Sequence, residues 1–203
     1  MFHKVGSVKH AIHAEEAGYD GVYAAGIEEG GHPLNDDVTT MILTPKMADT
    51  VKIPVVTVGG IADGKSLAAA LTLGAEGVMM ATRFMATHEC QVHENIKKEI
   101  LKRQENETTL ICKSVNLQGR AIKNKIVGEI LEAEKRGANI MELAPLITGE
   151  RCRTAWETGD VEIAPMMMGQ SLGRINDIKS CKDVIEDMVA QAKNEIERVR
   201  SLF

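Results

Sequence analysis

The strongest constraint on the fold of this chain is the alternation of short apolar segments with helical patterns in its first part. The clearest strand candidate is Ile53–Val58, whose sequence IPVVTV is β-branched almost throughout and ends at Gly59-Gly60. Two further apolar runs, DGVYAAG at 20–26 and GVMMA at Gly77–Ala81, alternate with helical stretches. Alternating helices and uniformly apolar strands indicate βαβ units around a parallel sheet that is covered on both faces. The sequence therefore predicts an α/β protein.

Local signals place a helix before each of these strands. Ser7 is a plausible N-cap for the first helix, which is predicted to stop at Gly18. The pair Thr44-Pro45 predicts the start of the second helix, with threonine as the cap and proline in the first turn. A third helix contains Leu67–Leu71 and is predicted to end at Gly74.

From His88 onward the pattern becomes helical, and no strand is predicted there. Apolar residues recur at a spacing of four at Ile96 and Ile100, as they do from Ile122 to Ile130. The last helix is predicted to begin at the N-cap Ser180. Its expected apolar face consists of Ile185, Met188, Val189, Ala192, Ile196 and Val199.

The predicted strands are too few to close a barrel. Even with the tail of a fourth strand at His3–Gly6, they would form an open parallel sheet with exposed edges. A full (β/α)8 barrel needs roughly 250 residues, whereas this chain has 203. We therefore expect the sheet to be completed by a missing N-terminal half or by another chain.

Composition excludes several functional classes. The formal net charge is −5 with a sequence pI of about 5.7, and no basic stripe is present, so nucleic acid is not an expected partner. No apolar run reaches the roughly 18 residues of a membrane helix, and the N-terminus does not resemble a signal peptide. Four widely spaced cysteines favour a reduced compartment. We expect a soluble, cytoplasmic protein with a small-molecule substrate.

Three motifs follow the predicted strands and would meet at the carboxyl ends of the sheet, where barrel enzymes place their chemistry. GIEEGGHP at Gly26–Pro33 offers His32, which serves either as an active-site group or as an incidental histidine of a surface loop. VGGIADG at Val58–Gly64 and MATRF at Met80–Phe84 offer backbone N–H groups for a phosphate. Arg83 would pair with that phosphate or with a structural carboxylate.

A metal site is not predicted. The segment HECQVHE at His88–Glu94 is rich in potential ligands, but its two histidines are five residues apart rather than four. The segment is more typical of a solvated loop that runs into a helix.

The sequence resembles the flavin-dependent nitronate monooxygenases, a superfamily shared with the flavin-dependent enoyl-acyl-carrier-protein reductases. The resemblance lies in GIEEGGH and PVVTVGGIADGKSLAAALTLGAEGVMMATRF, and continues weakly through RAIKN, ELAPLITGE, TGDV and GQ. It implies the C-terminal part of an FMN-binding TIM (β/α)8 barrel at 1–87. It also implies a helical extension or lid with a closing helix at 88–203.

The resemblance also implies roles for individual residues. His32 matches the active-site histidine of the family, which holds or deprotonates the substrate beside the flavin. The implied FMN contacts are Gly31, Gly59, Gly60, Ala81, Thr82 and Gln170. The family commonly has glycine where this chain has Ala81, and a methyl group there is tolerated only if φ is negative.

Three functions remain open from the sequence. The first is FMN-dependent oxidation of alkyl nitronates with dioxygen, requiring the missing N-terminal half. The second is FMN-dependent enoyl-acyl-carrier-protein reduction with NAD(P)H, and the third is an inactive barrel fragment. We expect a homo-oligomer or an association with the missing half.

Overall fold

The computed structural model describes residues 1–34 and 36–203. Its first part alternates strands and helices along the chain: β1 (Phe2–Val5), α1 (Val8–Glu16), β2 (Gly21–Ala25), α2 (Thr40–Ala48), β3 (Val55–Val58), α3 (Gly64–Thr72) and β4 (Gly77–Met79). The later part contains α4 (Thr82–Met85), α5 (Glu94–Lys102), β5 (Thr108–Ile111), β6 (Gly119–Ile122), α6 (Lys125–Lys135), α7 (Ile140–Leu143), α8 (Gly149–Thr158) and α9 (Cys181–Arg200). Three 3₁₀ turns lie at Lys113–Val115, Ala144–Leu146 and Gln170–Arg174.

The predicted parallel sheet is confirmed. It has four strands in the order β1-β2-β3-β4, and every neighbouring pair is parallel. The register aligns Lys4 with Tyr23, and Val58 with both Ala25 and Met79. Because side chains alternate between the two faces of a strand, these residues project from the same, inner face of the sheet.

Helices cover the outer face of the sheet. A buried cluster joins β1, β2 and β3 to α1 and α2: Val5, Ala11, Ala14, Val22, Ala24, Leu43, Met47, Val51 and Val55. A buried hydrogen bond of 2.9 Å joins the hydroxyl groups of Thr44 in α2 and Thr57 in β3. Because both hydroxyl groups are satisfied, they can lie within this apolar layer.

The second helix starts earlier than the Thr44-Pro45 signal predicts. It begins at Thr40, and Pro45 lies inside it. The reason is a tertiary cap, because both carboxylate oxygens of Glu28 accept a hydrogen bond from the backbone N–H of Thr40 at 3.1 Å. The hydroxyl group of Thr40 donates to the same carboxylate at 2.9 Å. A cap from a distant loop leaves no local sequence signal.

The prediction that no strand follows His88 is wrong. Strands β5 and β6 form a two-stranded antiparallel sheet. Their connection includes Cys112 and Asn116, both with φ of +57°, instead of the short glycine turn that announces a hairpin in a sequence. All four residues of β6 are buried. Tertiary burial therefore stabilises a hairpin that local propensity does not reveal.

The last helix lies where predicted, although its apolar face is only partly buried. The hydroxyl oxygen of Ser180 accepts a hydrogen bond from the N–H of Asp183 at 3.0 Å, which confirms the N-cap. Met188 and Ala192 are buried, and they approach α3 near Gly64, whose N–H donates to the side chain of Gln191. Four residues of the predicted face are exposed instead: Ile185, Val189, Ile196 and Val199.

Within the part of the chain that the structure describes, no helix combines the length and the apolar character needed to cross a membrane.

Candidate functional site

The loops that follow β2, β3 and β4 meet at one end of the sheet, around a cavity of about 410 Å³. That volume lies in the range of small-molecule and cofactor sites, about 300–1,000 Å³. The floor comes from the inner faces of the strands, and a segment near residue 170 completes the wall. The lining residues include Lys4, Tyr23, Glu29, Gly59, Thr82 and Gly169. The three predicted motifs are therefore brought together.

The turn after β3 requires glycine. Gly59 and Gly60 have φ of +99° and +74°, in the left-handed region. A Cβ on Gly59 would lie 2.8 Å from the backbone nitrogen of Glu29, so the turn also packs closely against the preceding loop. Successive backbone N–H groups of a turn can form an anion-binding concavity. Gly59 lines the main cavity, whereas Gly60 lines a smaller one of about 140 Å³.

The N-terminus of α3, predicted to assist phosphate binding, is already capped by protein groups. Asp63 accepts a hydrogen bond from the N–H of Ser66 at 2.9 Å, and it also forms an ion pair with Arg174. Burial acts to raise the pKa of Asp63, but the hydrogen bonds from Ser66 and the charge of Arg174 outweigh it and hold the pKa below its usual value. Phosphate contacts would therefore fall to the glycine turn rather than to this helix end.

The loop after β4 contributes Ala81 and Thr82 to the cavity. Ala81 has φ of −117°, which meets the condition under which a methyl group replaces glycine without strain. The hydroxyl oxygen of Thr82 accepts a hydrogen bond from the N–H of Gly169 at 3.1 Å. This bond ties the loop to the segment near residue 170, which forms the opposite wall.

Arg83 has the structural role that the sequence left open. It is buried, and its guanidinium pairs with the carboxylate of Asp177 at 3.0 Å and donates to the carbonyl oxygen of Ala86. Burial acts to raise the pKa of Asp177, but the hydrogen bond from Lys179 and the charge of Arg83 outweigh burial and hold the pKa below its usual value. Arg83 does not line the main cavity.

The glycines of the GIEEGGH loop allow two close backbone approaches. A Cβ on Gly30 would lie 2.5 Å from the backbone nitrogen of Gly169. Gly31, with φ of +93°, exchanges two backbone hydrogen bonds with Arg120 of β6. The Arg120 guanidinium also donates to the carbonyl oxygen of Ile27 at 2.8 Å. The hairpin thus holds this loop in place.

His32 lies at the exposed end of the same loop. Its Nδ1 is 3.0 Å from the carbonyl oxygen of Gln118. Because a carbonyl oxygen only accepts, Nδ1 carries the proton and donates it. In the neutral imidazole Nε2 is then the proton acceptor, as a general base requires. The carbonyl oxygen of His32 in turn accepts a hydrogen bond from Nζ of Lys4 at 2.8 Å.

Glu29 and Lys4 are cavity residues that the sequence analysis did not single out. Glu29 is only 6% exposed and forms an ion pair with Lys4. Burial raises the pKa of Glu29 above its usual value, although Lys4 and the nearby His32 act in the opposite direction. The alternation of side chains along β1, once its start is known, would have placed Lys4 on the inner face with Tyr23.

Gln170 begins the 3₁₀ turn beside the cavity. Its backbone N–H donates to the carbonyl oxygen of Glu28 at 3.0 Å, and its neighbours Gly169 and Ser171 line the cavity. Of the predicted cofactor contacts, Gly59, Ala81 and Thr82 line the cavity directly. Gly31, Gly60 and Gln170 lie in the segments that shape it, as does His32.

Comparison with known proteins identifies the relatives of this chain. A sequence model described as nitronate monooxygenase matches residues 1–191. A carboxyl-CoA dehydrogenase of Rhodococcus jostii, "(3aS,4S,5R,7aS)-5-hydroxy-7a-methyl-1-oxo-octahydro-1H-indene-4-carboxyl-CoA dehydrogenase", is 31% identical over 98% of this chain and 66% of its own length. A probable nitronate monooxygenase of Staphylococcus saprophyticus is 34% identical over 94% of this chain and 55% of its own length.

Solved structures show the fold. FabK from Thermotoga maritima superposes with a TM-score of 0.94 at 37% identity, over 100% of this chain and 63% of the FabK chain. A nitroalkane oxidase from Streptomyces ansochromogenes has a TM-score of 0.80 at 23% identity, over 98% of this chain and 58% of its own. These TIM-barrel neighbours confirm the predicted fold class. The chain spans between about half and two thirds of the length of the relatives that it matches.

Proposed function

The chain belongs to the nitronate monooxygenase family, and from this premise we propose that it carries the substrate side of a site that oxidises alkyl nitronates with dioxygen and FMN. The observation that carries the proposal is the convergence of three strand-end loops on one cavity of about 410 Å³, with His32 on one of those loops. Membership of the family supports the reaction class, which is an oxidoreduction. What we propose beyond the family is that the substrate is a nitronate and that the flavin is FMN.

The residues around the cavity fit a flavin phosphate and ring. Gly59 lies in a left-handed turn at the wall of the cavity, and a Cβ there would collide with the backbone of Glu29. Successive backbone N–H groups of such a turn would suit a phosphate group. The inner face of the sheet adds apolar and aromatic surface from Tyr23, Val58 and Met79, which suits an aromatic ring.

A bound flavin would supply electron transfer from the nitronate, which no side chain of this site provides. The protein supplies orientation and proton handling. His32 presents Nε2 as a proton acceptor because its Nδ1 is held by Gln118. The apolar walls around Tyr23 and Met80 would exclude water from the reacting groups.

We further propose that turnover requires additional strands at the open edges of the sheet. Strands β1 and β4 each have one neighbour in the part of the chain that the structure describes. On the inner face near these edges, Phe2 is 39% exposed and Met79 is 47% exposed. Exposed edges and apolar side chains favour pairing with further strands. A barrel half in trans or a second copy of the chain would supply them.

The first test is the visible absorption spectrum of the purified chain before and after incubation with excess FMN and gel filtration. We expect retained flavin, followed by oxygen consumption with an alkyl nitronate and no pyridine nucleotide once the barrel is complemented. Flavin retention without nitronate turnover in the complemented protein would refute the nitronate substrate. Failure to retain FMN even after complementation would refute the cofactor assignment and favour an inactive barrel fragment.

A second candidate is the reduction of an enoyl thioester with NAD(P)H. The 31% identity to a protein whose name gives a carboxyl-CoA dehydrogenase keeps thioester substrates in consideration. The same complemented protein discriminates the two candidates. NAD(P)H oxidation that depends on an enoyl thioester would support the second, and oxygen consumption with nitronate alone supports the first.

A further inference from the structure

Lys4 links the inner face of the sheet to the histidine loop. Its Nζ forms an ion pair with Glu29 and donates to the carbonyl oxygen of His32 at 2.8 Å. Glu29 and His32 lie three positions apart in the chain, so one ammonium group holds both ends of the segment Glu29–His32. Lys4 itself lies on β1, whose register is fixed by parallel pairing with β2.

The ion pair joins a buried carboxylate to a partly exposed ammonium group in the cavity wall. Glu29 is 6% exposed, whereas the side chain of Lys4 is 41% exposed. A buried carboxylate is destabilising unless a cation and hydrogen bonds compensate for its lost hydration. Because Lys4 provides that cation, Glu29 keeps the ammonium group at a fixed place below the loop. Buried ion pairs can often be replaced by apolar residues without loss of stability, so this pair is weak evidence for a purely stabilising role.

We propose that Lys4 is a positioning residue for His32, and that Glu29 is the counter-ion that holds Lys4 in place. The proposal rests on the proposed function only in assuming that His32 handles the substrate proton. The His32 ring is oriented from one side by the carbonyl oxygen of Gln118, and the His32 backbone is fixed from the other by Lys4. Loss of Lys4 frees the backbone, so the ring leaves Gln118 for part of the time.

The tautomeric state of His32 reports directly whether the ring stays bonded to Gln118, and it can be measured without flavin or substrate. We would label the histidines with ¹⁵N and record long-range ¹H–¹⁵N spectra of the full chain at alkaline pH, where imidazoles are neutral. The signals of His32 are assigned as those that His32→Asn removes. In the unmodified chain, we expect the proton to reside on Nδ1, because Gln118 accepts it.

The Lys4→Met variant should shift His32 toward the tautomer mixture of an unconstrained imidazole, whereas Lys4→Arg, which keeps the charge and the donors, should restore Nδ1–H. Because Lys4→Met leaves Glu29 unpaired, Lys4→Met/Glu29→Gln provides a second variant without a buried charge, and it should show the same shift. The matched control is Lys9→Met, which removes an exposed lysine of α1 and should leave the spectrum unchanged.

In the complemented enzyme, Lys4→Met should lower kcat about 10-fold with KM nearly unchanged, as expected for the loss of one orienting hydrogen bond. A His32 that stays on the Nδ1–H tautomer in a folded Lys4→Met/Glu29→Gln protein would overturn the proposal. The tautomer measurement does not depend on the substrate. If the unmodified complemented enzyme does not turn over nitronate, the proposed function is refuted, whereas the tautomer result still stands.

Discussion

Replacing Gly59 with alanine perturbs the turn that brings the end of β3 against the histidine loop. The φ of +99° at this position costs a residue with a side chain about 1–2 kcal/mol. The new Cβ would lie 2.8 Å from the backbone nitrogen of Glu29 and 3.2 Å from its Cβ. Main-chain atoms cannot move aside as the end of a flexible side chain does, so overpacking adds about 1–3 kcal/mol. We expect Gly59→Ala to reduce the free energy of unfolding by about 2–5 kcal/mol.

Gly60→Ala is the matched control, because it adds the same methyl group one residue later. Its φ of +74° imposes a similar conformational cost, but the nearest atom to the new Cβ is the hydroxyl oxygen of Thr40 at 3.6 Å. Ordinary van der Waals contact adds no clash, so this variant should lose only about 1–2 kcal/mol. The difference between the two variants isolates the close approach of the two loops.

Urea unfolding followed by far-ultraviolet circular dichroism measures both free energies, and FMN retention on gel filtration reports on the cavity. We expect Gly59→Ala to weaken FMN binding more than Gly60→Ala, since Gly59 lines the main cavity and Gly60 does not. Equal stabilities for the two variants would refute the close packing of the turn on Glu29. Undiminished FMN retention by a folded Gly59→Ala protein would refute the role of the turn in holding the phosphate.

Two further predictions concern ion pairs at the ends of helices. Asp63→Asn keeps the cap of α3 but removes the charge that faces Arg174. Because the pKa of Asp63 is lowered in the folded protein, its charge stabilises the fold above the ordinary value of 3.8 and loses that effect as pH falls through the folded pKa. Unfolding measured against pH should therefore show a deficit of about 1–2 kcal/mol at neutral pH that vanishes in acid, and a constant deficit would contradict the assignment. Arg83→Met should destabilise the fold by about 1–3 kcal/mol, because it leaves the backbone carbonyl oxygens of Ala86 and Asp177 without their donor. FMN retention by the folded fraction should be unchanged, and a selective loss of FMN would show that Arg83 contacts the cofactor.

The sequence was sufficient to predict the parallel sheet, because its signal is local. The β-branched run at Ile53–Val58, with glycines at its end, specifies both a strand and the turn that follows it. The cavity wall near Gly59 and Thr82 follows from that order, since parallel strands present their carboxyl ends at one edge. The start of α2 and the hairpin were predicted incorrectly. Their determinants are the Glu28 cap and the burial of β6, and neither is encoded by neighbouring residues.

The same distinction explains why Lys4 and Glu29 escaped prediction. A lysine near the start of a chain and a glutamate in a glycine-rich loop both suggest solvent exposure. Only the register of β1 against β2 places Lys4 on the inner face, and only the close packing of the loop on Gly59 buries Glu29. Glu29, a charged residue buried by tertiary packing beside the cavity, is a functional candidate that sequence periodicity alone does not rank.

The histidine loop also depends on parts of the chain far beyond the sheet. Gly31 pairs with Arg120 of the hairpin, and Gln118, just before β6, holds the imidazole of His32. The N–H of Gly169 binds Thr82 across 87 positions of sequence. Each of these contacts joins the sheet region to residues beyond His88. The later region therefore contributes contacts to the site, because the carbonyl oxygen of Gln118 orients the histidine on which the proposed chemistry depends. These contacts to Gly31 and His32 come from main-chain atoms of Arg120 and Gln118, so they depend on the position of the hairpin rather than on its side chains.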